Sequence, residues 1–213
     1  MNDVYVMVFP ISLLGEIGYF QGLSFETEKY MQIIIDQKNY MFKRRQDVEE
    51  GSSYKQPIPY AILNYKDRIF SYRRGKLLSE ERLIGNYSIG AGGHISANDS
   101  RPVKKIYEEG LCREIEEEIK IENDYKIKFV ALLNDDRSRV NKVHFGLIYI
   151  AELNEPLVEV KESSINEGKF ISIPELKKDI RKYEDWSQIC INHIEELLYK
   201  FRELCGVIQP LLI

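Results

Sequence analysis

From Ile58 to Gly75 the chain reads "IPYAILNYKDRIFSYRRG", two runs of alternating apolar residues around a polar step from Asn64 to Asp67. That rhythm predicts a β-hairpin, because successive side chains on a strand point to opposite faces and polar residues take the turn. "YSIGAGGHIS" (87–96) then predicts a strand running into a glycine-rich turn. From about Pro102 the spacing lengthens. Val103, Ile106, Tyr107, Leu111, Ile115 and Ile119 recur at helical intervals, and a proline is welcome in a first helical turn. After "ENDY" two strands are predicted, "KIKFVALLN" and "KVHFGLIYIAEL", across the polar turn "DDRSRVN". "VEVKESSINEGKFISI" predicts a loop and one more strand. Ser172 with Glu175 is the capping-box signature of a helix beginning near Ile173.

The two ends of the sequence read differently. "VYVMVFPISLLG" is apolar, but Asp3 precedes it, no Lys or Arg does, and Pro10 interrupts it; a buried strand is expected, not a secretory signal. "TEKYMQIIIDQKNYMFKRR" predicts a helix-like piece, and the polar, turn-rich "DVEEGSSYKQP" predicts a boundary. Near the C-terminus, "WSQICINHIEELLYKFREL" predicts an amphipathic helix with Ile189, His193, Leu197, Phe201 and Leu204 on one side. It is expected to pack on the domain, and it leaves room for a homodimer. Strands, helix, strands, helix is the order of an α/β sandwich of sheet and helices. The expected organisation is an N-terminal extension over 1–55, a central domain over 56–176 and a C-terminal helical segment over 177–213.

Composition narrows the function. The 213 residues carry a net charge of −4, so there is no basic footprint for nucleic-acid phosphates. No apolar stretch approaches the length of a membrane span. Cys112, Cys190 and Cys205 are scattered and form no CxxC pair, so reduced thiols in a cytoplasmic protein are expected and no zinc site. Cys112, beside apolar helix neighbours, reads as a core thiol.

The chemistry concentrates in "REIEEEIKI" (113–121), which crowds four glutamates into five positions. Like charges at helical spacing repel by roughly 0.2–0.5 kcal/mol per pair. On a helix Glu114, Glu117 and Glu118 stand at i, i+3 and i+4 and share one face, while Glu116 points elsewhere. Carboxylates converging from one face offer the oxygen ligands that Mg²⁺ or Mn²⁺ prefers. A solvated acidic helix is the competing reading of the same spacing.

The glycine turn "GAGGH" ahead of this helix, with Arg113 beside the cluster, resembles the box of the Nudix hydrolases. That pattern is Gly, five residues, Glu, seven residues, then Arg-Glu-apolar-any-Glu-Glu-any-Gly-apolar. Gly93, Arg113, Glu114, Ile115, Glu117, Glu118 and Ile121 take corresponding positions, and "FSYRR" before and "FISIPEL" after fit the flanks. The match spans roughly 56–176 and implies a Nudix α/β/α sandwich with a mixed sheet. The terminal segments look like additions found in a MutT-like subgroup of predicted phosphoesterases. Two departures stand out. Gly93 to Arg113 is twenty residues where the pattern has fourteen, which makes "ISANDSRP" a six-residue expansion and leaves Lys105 where the first Glu belongs. Lys120 replaces the box's last glycine, which predicts a different helix end.

The resemblance implies a metal-dependent hydrolase that cuts the pyrophosphate linkage of a nucleoside diphosphate derivative or nucleotide. Glu114, Glu117 and Glu118 are then the Mg²⁺ or Mn²⁺ ligands, with Arg113 orienting one of them. Glu167 and Glu162 in "KESSINEGKF" are candidate general bases. Arg73, Arg74, Gly92, Gly93 and His94 are candidate substrate contacts, with a turn-holding role for His94 the alternative. A second reading is a nucleotide-sensing Nudix-like domain without catalysis; the intact glutamate set argues against it. A third, isopentenyl-diphosphate isomerase, is argued against by the absence of its cysteine segment and N-terminal histidines. His94, His144 and His193 are the chain's histidines.

Overall fold

Strands form where apolar residues alternate or run together, and helices where they recur every three or four positions. The structure, a computed structural model, describes residues 4–49, 51, 53–75, 85–99, 106–161 and 165–207. In chain order the strands are β1 (Tyr5–Pro10), β2 (Gly22–Ser24), β3 (Met41–Arg44), β4 (Tyr54–Tyr65), β5 (Arg68–Arg74), β6 (Tyr87–Ser88), β7 (Gly90–Ala91), β8 (Ile119–Ile121), β9 (Tyr125–Asn134), β10 (His144–Leu153), β11 (Val158–Val160) and β12 (Ile165–Ser172). The helices are α1 (Ser12–Ile17), α2 (Thr27–Ile34), α3 (Arg45–Val48), α4 (Ile106–Glu118), α5 (Ile173–Lys178), α6 (Asp185–Asn192) and α7 (Ile194–Leu204).

This is a mixed α/β fold with one large sheet. Hydrogen-bonded neighbours run β12-β5-β4-β10-β9-β2, with β1 and β7 also on β4, β3 on β1 and β6 on β5; β8 and β11 pair separately. By contacts the residues divide into one unit of 1–60, 92–114 and 131–148, and another of 61–91, 115–130 and 149–213. The runs β4 and β10 are buried at nearly every position. Near-continuous burial, rather than alternation, marks strands covered on both faces.

In the first unit β1 is the buried strand expected, with Val6, Val8 and Phe9 at 0% exposure. It pairs with β3 from Tyr5↔Arg44 to Val8↔Met41 and reaches β4 at Phe9↔Lys55. It also holds the loop after the glycine turn: Met7 N–H donates to the Ile95 carbonyl (2.9 Å) and Ala97 N–H to that of Tyr5 (3.0 Å). The helix-like stretch from Thr27 to Arg45 is a helix only to Ile34. The Asn39 amide donates to the Ile33 carbonyl (2.8 Å) in the turn that follows, and Met41–Arg44 extends as β3. The expected boundary stretch contains the start of β4. Its Lys55 is fully buried, pairs with Asp136 (2.6 Å), and has its amine pushed down by burial although Asp136 pulls the other way.

In the second unit the predicted hairpin is present, with Lys66 and Asp67 both at positive φ (48° and 59°) between β4 and β5. Two left-handed residues suit a two-residue hairpin turn. Leu63, Phe70, Tyr72, Ala91, Ile119, Ala151 and Leu153 form a core with Phe170 and Val160 packed on it. The Ser172–Glu175 capping box is formed at the start of α5. The C-terminal helix is a correction: it is two helices, α6 and α7, broken at His193. Ile194, Leu197, Leu198 and Phe201 are buried, whereas His193 and Leu204 face solvent. The true stripe is offset because α7 starts its own helical phase after the break. Among the described residues, no helix is long and apolar enough to cross a membrane.

Candidate active site

Helix α4 ends at Glu118 and the chain continues directly into β8, where Lys120 pairs opposite Glu159 of β11. A glycine turn is therefore absent at this helix end because the next residues already extend. Lys161 caps the end, its ammonium donating to the Glu116 carbonyl (2.8 Å), a favourable charge at a helix C-terminus. Leu111 and Ile115 are buried and Glu116 and Glu117 exposed, so the helix is amphipathic as its spacing predicts. Cys112 is exposed, not the core thiol expected, because it stands next to the buried row instead of in it.

In the first unit Arg113 gathers the turn and the helix. Its Nε and Nη2 donate to the two oxygens of Asp99 (2.8 and 3.1 Å), Nη2 also to the His94 carbonyl (2.8 Å), and Nη1 to Glu114 Oε1 (2.7 Å). The Asp99 contact raises the guanidinium pKa further, so it stays charged. The Glu114 carboxylate lies against the Cα of Gly93; a Cβ there would overlap it. Gly92, with φ at 155°, lies against the Pro59 carbonyl in the same way.

Asp99 is the residue the sequence reading missed. Gly93, five residues, Asp99 reproduces the spacing of the box's first acid, so the six surplus residues fall after Asp99 and not before Lys105. Counting forward from the glycine, instead of back from the arginine, gives this alignment. His144 was missed too: its Nε2 is 3.4 Å from His94 Nε2, with the rings edge-on. His94 thus places its ring on a neighbouring imidazole and gives its carbonyl to Arg113.

Burial pushes His144 down to about 4 and His94 well below the usual histidine range, with Arg45 nearby adding to both. Between pH 6.5 and about 4 the unfolded chain therefore binds a proton at residue 144 that the folded chain does not. Stability attributable to a neutral His144 is present above pH 6.5 and is lost as pH falls, by at most about 3 kcal/mol. The melting temperature is expected to fall between pH 7 and 5 less steeply in His144→Gln than in the natural chain; equal slopes would rule out this residue.

In the second unit Glu167 sits in β12 at positive φ (54°), within a register shift between Asn166 and Lys169. Tyr87 donates its hydroxyl to Glu167 Oε2 (2.9 Å), and Arg73 lies 3.5 Å from Oε1. A bulge re-aims a side chain in this manner. Arg74 is turned away into a bidentate pair with Glu184 (2.7 and 3.2 Å), which also accepts from Ser88. Glu162 and the Glu118 side chain lie outside the described residues. Among those described, no group of three or more His, Cys, Asp or Glu side chains is placed to hold a metal.

No protein-family model matches the chain. Protein YmaB of Bacillus subtilis (strain 168) is 35% identical over 183 residues, 83% of this chain and 89% of that protein. The crystal structure of Tm1382, described as a candidate Nudix hydrolase, superposes with a TM-score of 0.77 at 26% identity, covering 91% of this chain and 99% of that one. DR0079 from Deinococcus radiodurans shares the fold at 16% identity, with a TM-score of 0.54 over 75% of this chain and 91% of its own. The chain belongs to the Nudix hydrolase superfamily.

Proposed function

We propose that this protein is a metal-dependent hydrolase cleaving the pyrophosphate linkage of a nucleoside diphosphate derivative or nucleotide. The observation that carries the reading is the Arg113–Glu114 pair, which fixes one carboxylate against a glycine where no side chain competes for the space. A carboxylate so held, with Glu117 and Glu118 at i+3 and i+4 of the same helix, is an oxygen donor set suited to Mg²⁺ or Mn²⁺. Magnesium sites take one or two carboxylates and complete their shell with water and phosphate, so a full protein cage is not required. When bound, the ion would neutralise the diphosphate and lower the pKa of a water. Glu114 supplies a pre-oriented ligand, Gly93 keeps its space clear, and Arg113 holds it at the cost of one charge.

Glu167 is assigned as the proton acceptor. It has one oxygen on Tyr87 and the other beside Arg73, which orient the carboxylate while leaving it about half exposed. Glu162 remains the alternative base, and Arg73 a phosphate contact. A soluble cytoplasmic enzyme acting on a small molecule fits this reading.

The test is phosphate release from a panel of nucleoside diphosphate derivatives and nucleoside triphosphates, with Mg²⁺, with Mn²⁺ and with chelator, adding phosphatase to expose monophosphates. Cleavage of at least one compound that chelator abolishes is expected. No cleavage, together with no Mn²⁺ binding, would leave a nucleotide-sensing domain as the better reading.

A further inference from the structure

Tyr87 lies in β6, a strand of two residues whose own ladder is too short to fix a side chain. Its support comes from the C-terminal segment. Glu184 N–H donates to the Tyr87 carbonyl (3.0 Å), Tyr87 and Tyr183 form a parallel β-bridge, and their rings tilt together with centroids 5.8 Å apart. We infer that Tyr183 and Glu184 are positioning residues for the proton acceptor: they seat Tyr87, and the Tyr87 hydroxyl sets the carboxylate of Glu167. The inference deepens the proposed function and rests on it.

The seat is buried and fully bonded. Tyr183 is enclosed, with its hydroxyl 2.9 Å from that of Ser71 in β5. Glu184 is 7% exposed and ties β5 to β6, since Arg74 donates to both its oxygens and Ser88 donates its hydroxyl (2.7 Å). Ser187, in the first turn of α6, accepts from Ile89 N–H (3.1 Å). Charge-assisted bonds in a buried, satisfied network hold one geometry. At the other end, Asn166 pairs with Arg73 and Lys169 with Ser71, so Glu167 and Gly168 together stand opposite Tyr72, the two-against-one count of a β-bulge. Glu167 takes its left-handed φ of 54° there, a conformation that a residue with a Cβ keeps only where its surroundings impose it. Of its two contacts the tyrosine is the firmer: the hydroxyl lies at 2.9 Å, whereas Arg73 stands at 3.5 Å with half its side chain in solvent, where an ion pair orients little. Donation to the carboxylate pushes the Tyr87 phenol up, against the pull of Arg73 and Lys182. The C-terminal segment thereby acquires a functional consequence beyond packing.

Tyr87→Phe keeps the ring on Tyr183 and removes the hydroxyl; Tyr183→Leu removes the supporting ring and leaves the hydroxyl. The full-length protein is assayed on a compound cleaved in the panel, each variant below its melting transition. Glu167→Gln is expected to lower kcat at least about a hundredfold, the contribution of a positioned general base. Tyr87→Phe and Tyr183→Leu should each lower kcat about tenfold with KM nearly unchanged, because a misplaced base loses rate and not substrate affinity. In the Glu167→Gln background neither should cost anything more, since no base is left to place. Tyr183→Phe, which keeps the ring, should recover most of the rate. Without substrate, the titration midpoint of the Tyr87 ring, followed by ¹³C resonance, should fall in Glu167→Gln and also in Tyr183→Leu. Natural kcat in Tyr87→Phe or Tyr183→Leu, or losses that multiply in the double variants, would overturn the inference. Failure of the underlying reading looks different: no compound is cleaved, or Glu167→Gln keeps the natural rate, while the Tyr87 midpoint still falls in that variant. The inference would then fall with the base assignment.

Discussion

Glu114→Gln is expected to lower turnover about a thousandfold while leaving the melting temperature within a few degrees of the natural chain. Metal stabilisation of transition-state charge contributes several kcal/mol, and each 1.36 kcal/mol is tenfold in rate, so losing about 4 kcal/mol gives that factor. The substitution changes no volume, and Glu114 is only partly buried, so packing is conserved. It does remove the negative partner of Arg113 Nη1, but Asp99 and the His94 carbonyl still hold the guanidinium. The metal dependence of what activity survives should weaken in parallel, and Glu118→Gln should behave the same way. A Glu114→Gln enzyme with the natural rate and the natural Mn²⁺ affinity would refute the metal-ligand assignment. A variant that simply unfolds would show in the melting curve, and its folded fraction would then be assayed at lower temperature.

Much of this fold could be read from periodicity, and the places where it could not have physical causes. The β4–β5 hairpin was legible because alternation and a polar tip are local signals, and the α5 cap because Ser172 and Glu175 sit three apart. The break at His193 was not, because both flanking segments are helical and no proline or glycine marks the change of phase. The Thr27–Arg45 piece misled in the same way: apolar residues continue past Ile34, and the turn bonds made by Asp36, Lys38 and Asn39 show where the helix stops. At the site, "REIEEEIKI" announced Arg113 and its glutamates, but what a charged residue pairs with is a tertiary fact. Arg73 and Arg74 are neighbours in sequence, yet one meets Glu167 and the other Glu184, because adjacent strand residues face opposite ways. His144 reaches His94 across 50 positions of chain, which no local pattern encodes.

Gly92 and Gly93 look interchangeable in "GAGGH", and the same substitution in each is expected to fail for opposite reasons. At Gly92 an added Cβ meets the Pro59 carbonyl, a backbone atom of β4 that cannot move without disturbing the sheet, and the φ of 155° is unfavourable for alanine. Overpacking costs about 1–3 kcal/mol, and an incompatible φ adds about 1 kcal/mol or more. The sum, about 3 kcal/mol, corresponds to a fall of roughly 6–12 °C in melting temperature for a chain of this size. At Gly93 the atoms nearest an added Cβ are all those of the Glu114 carboxylate, the end of a side chain that can rotate away. Gly93→Ala should therefore melt within about 3 °C of the natural chain, a shift worth about 1 kcal/mol. It should lose at least tenfold in turnover and in Mn²⁺ affinity, because the carboxylate it displaces is the one Arg113 had fixed. If Gly92→Ala were as stable as the natural chain, the close approach to β4 would be wrong. If Gly93→Ala kept full activity, Glu114 would not need the place it occupies, and its role as a ligand would fall with it.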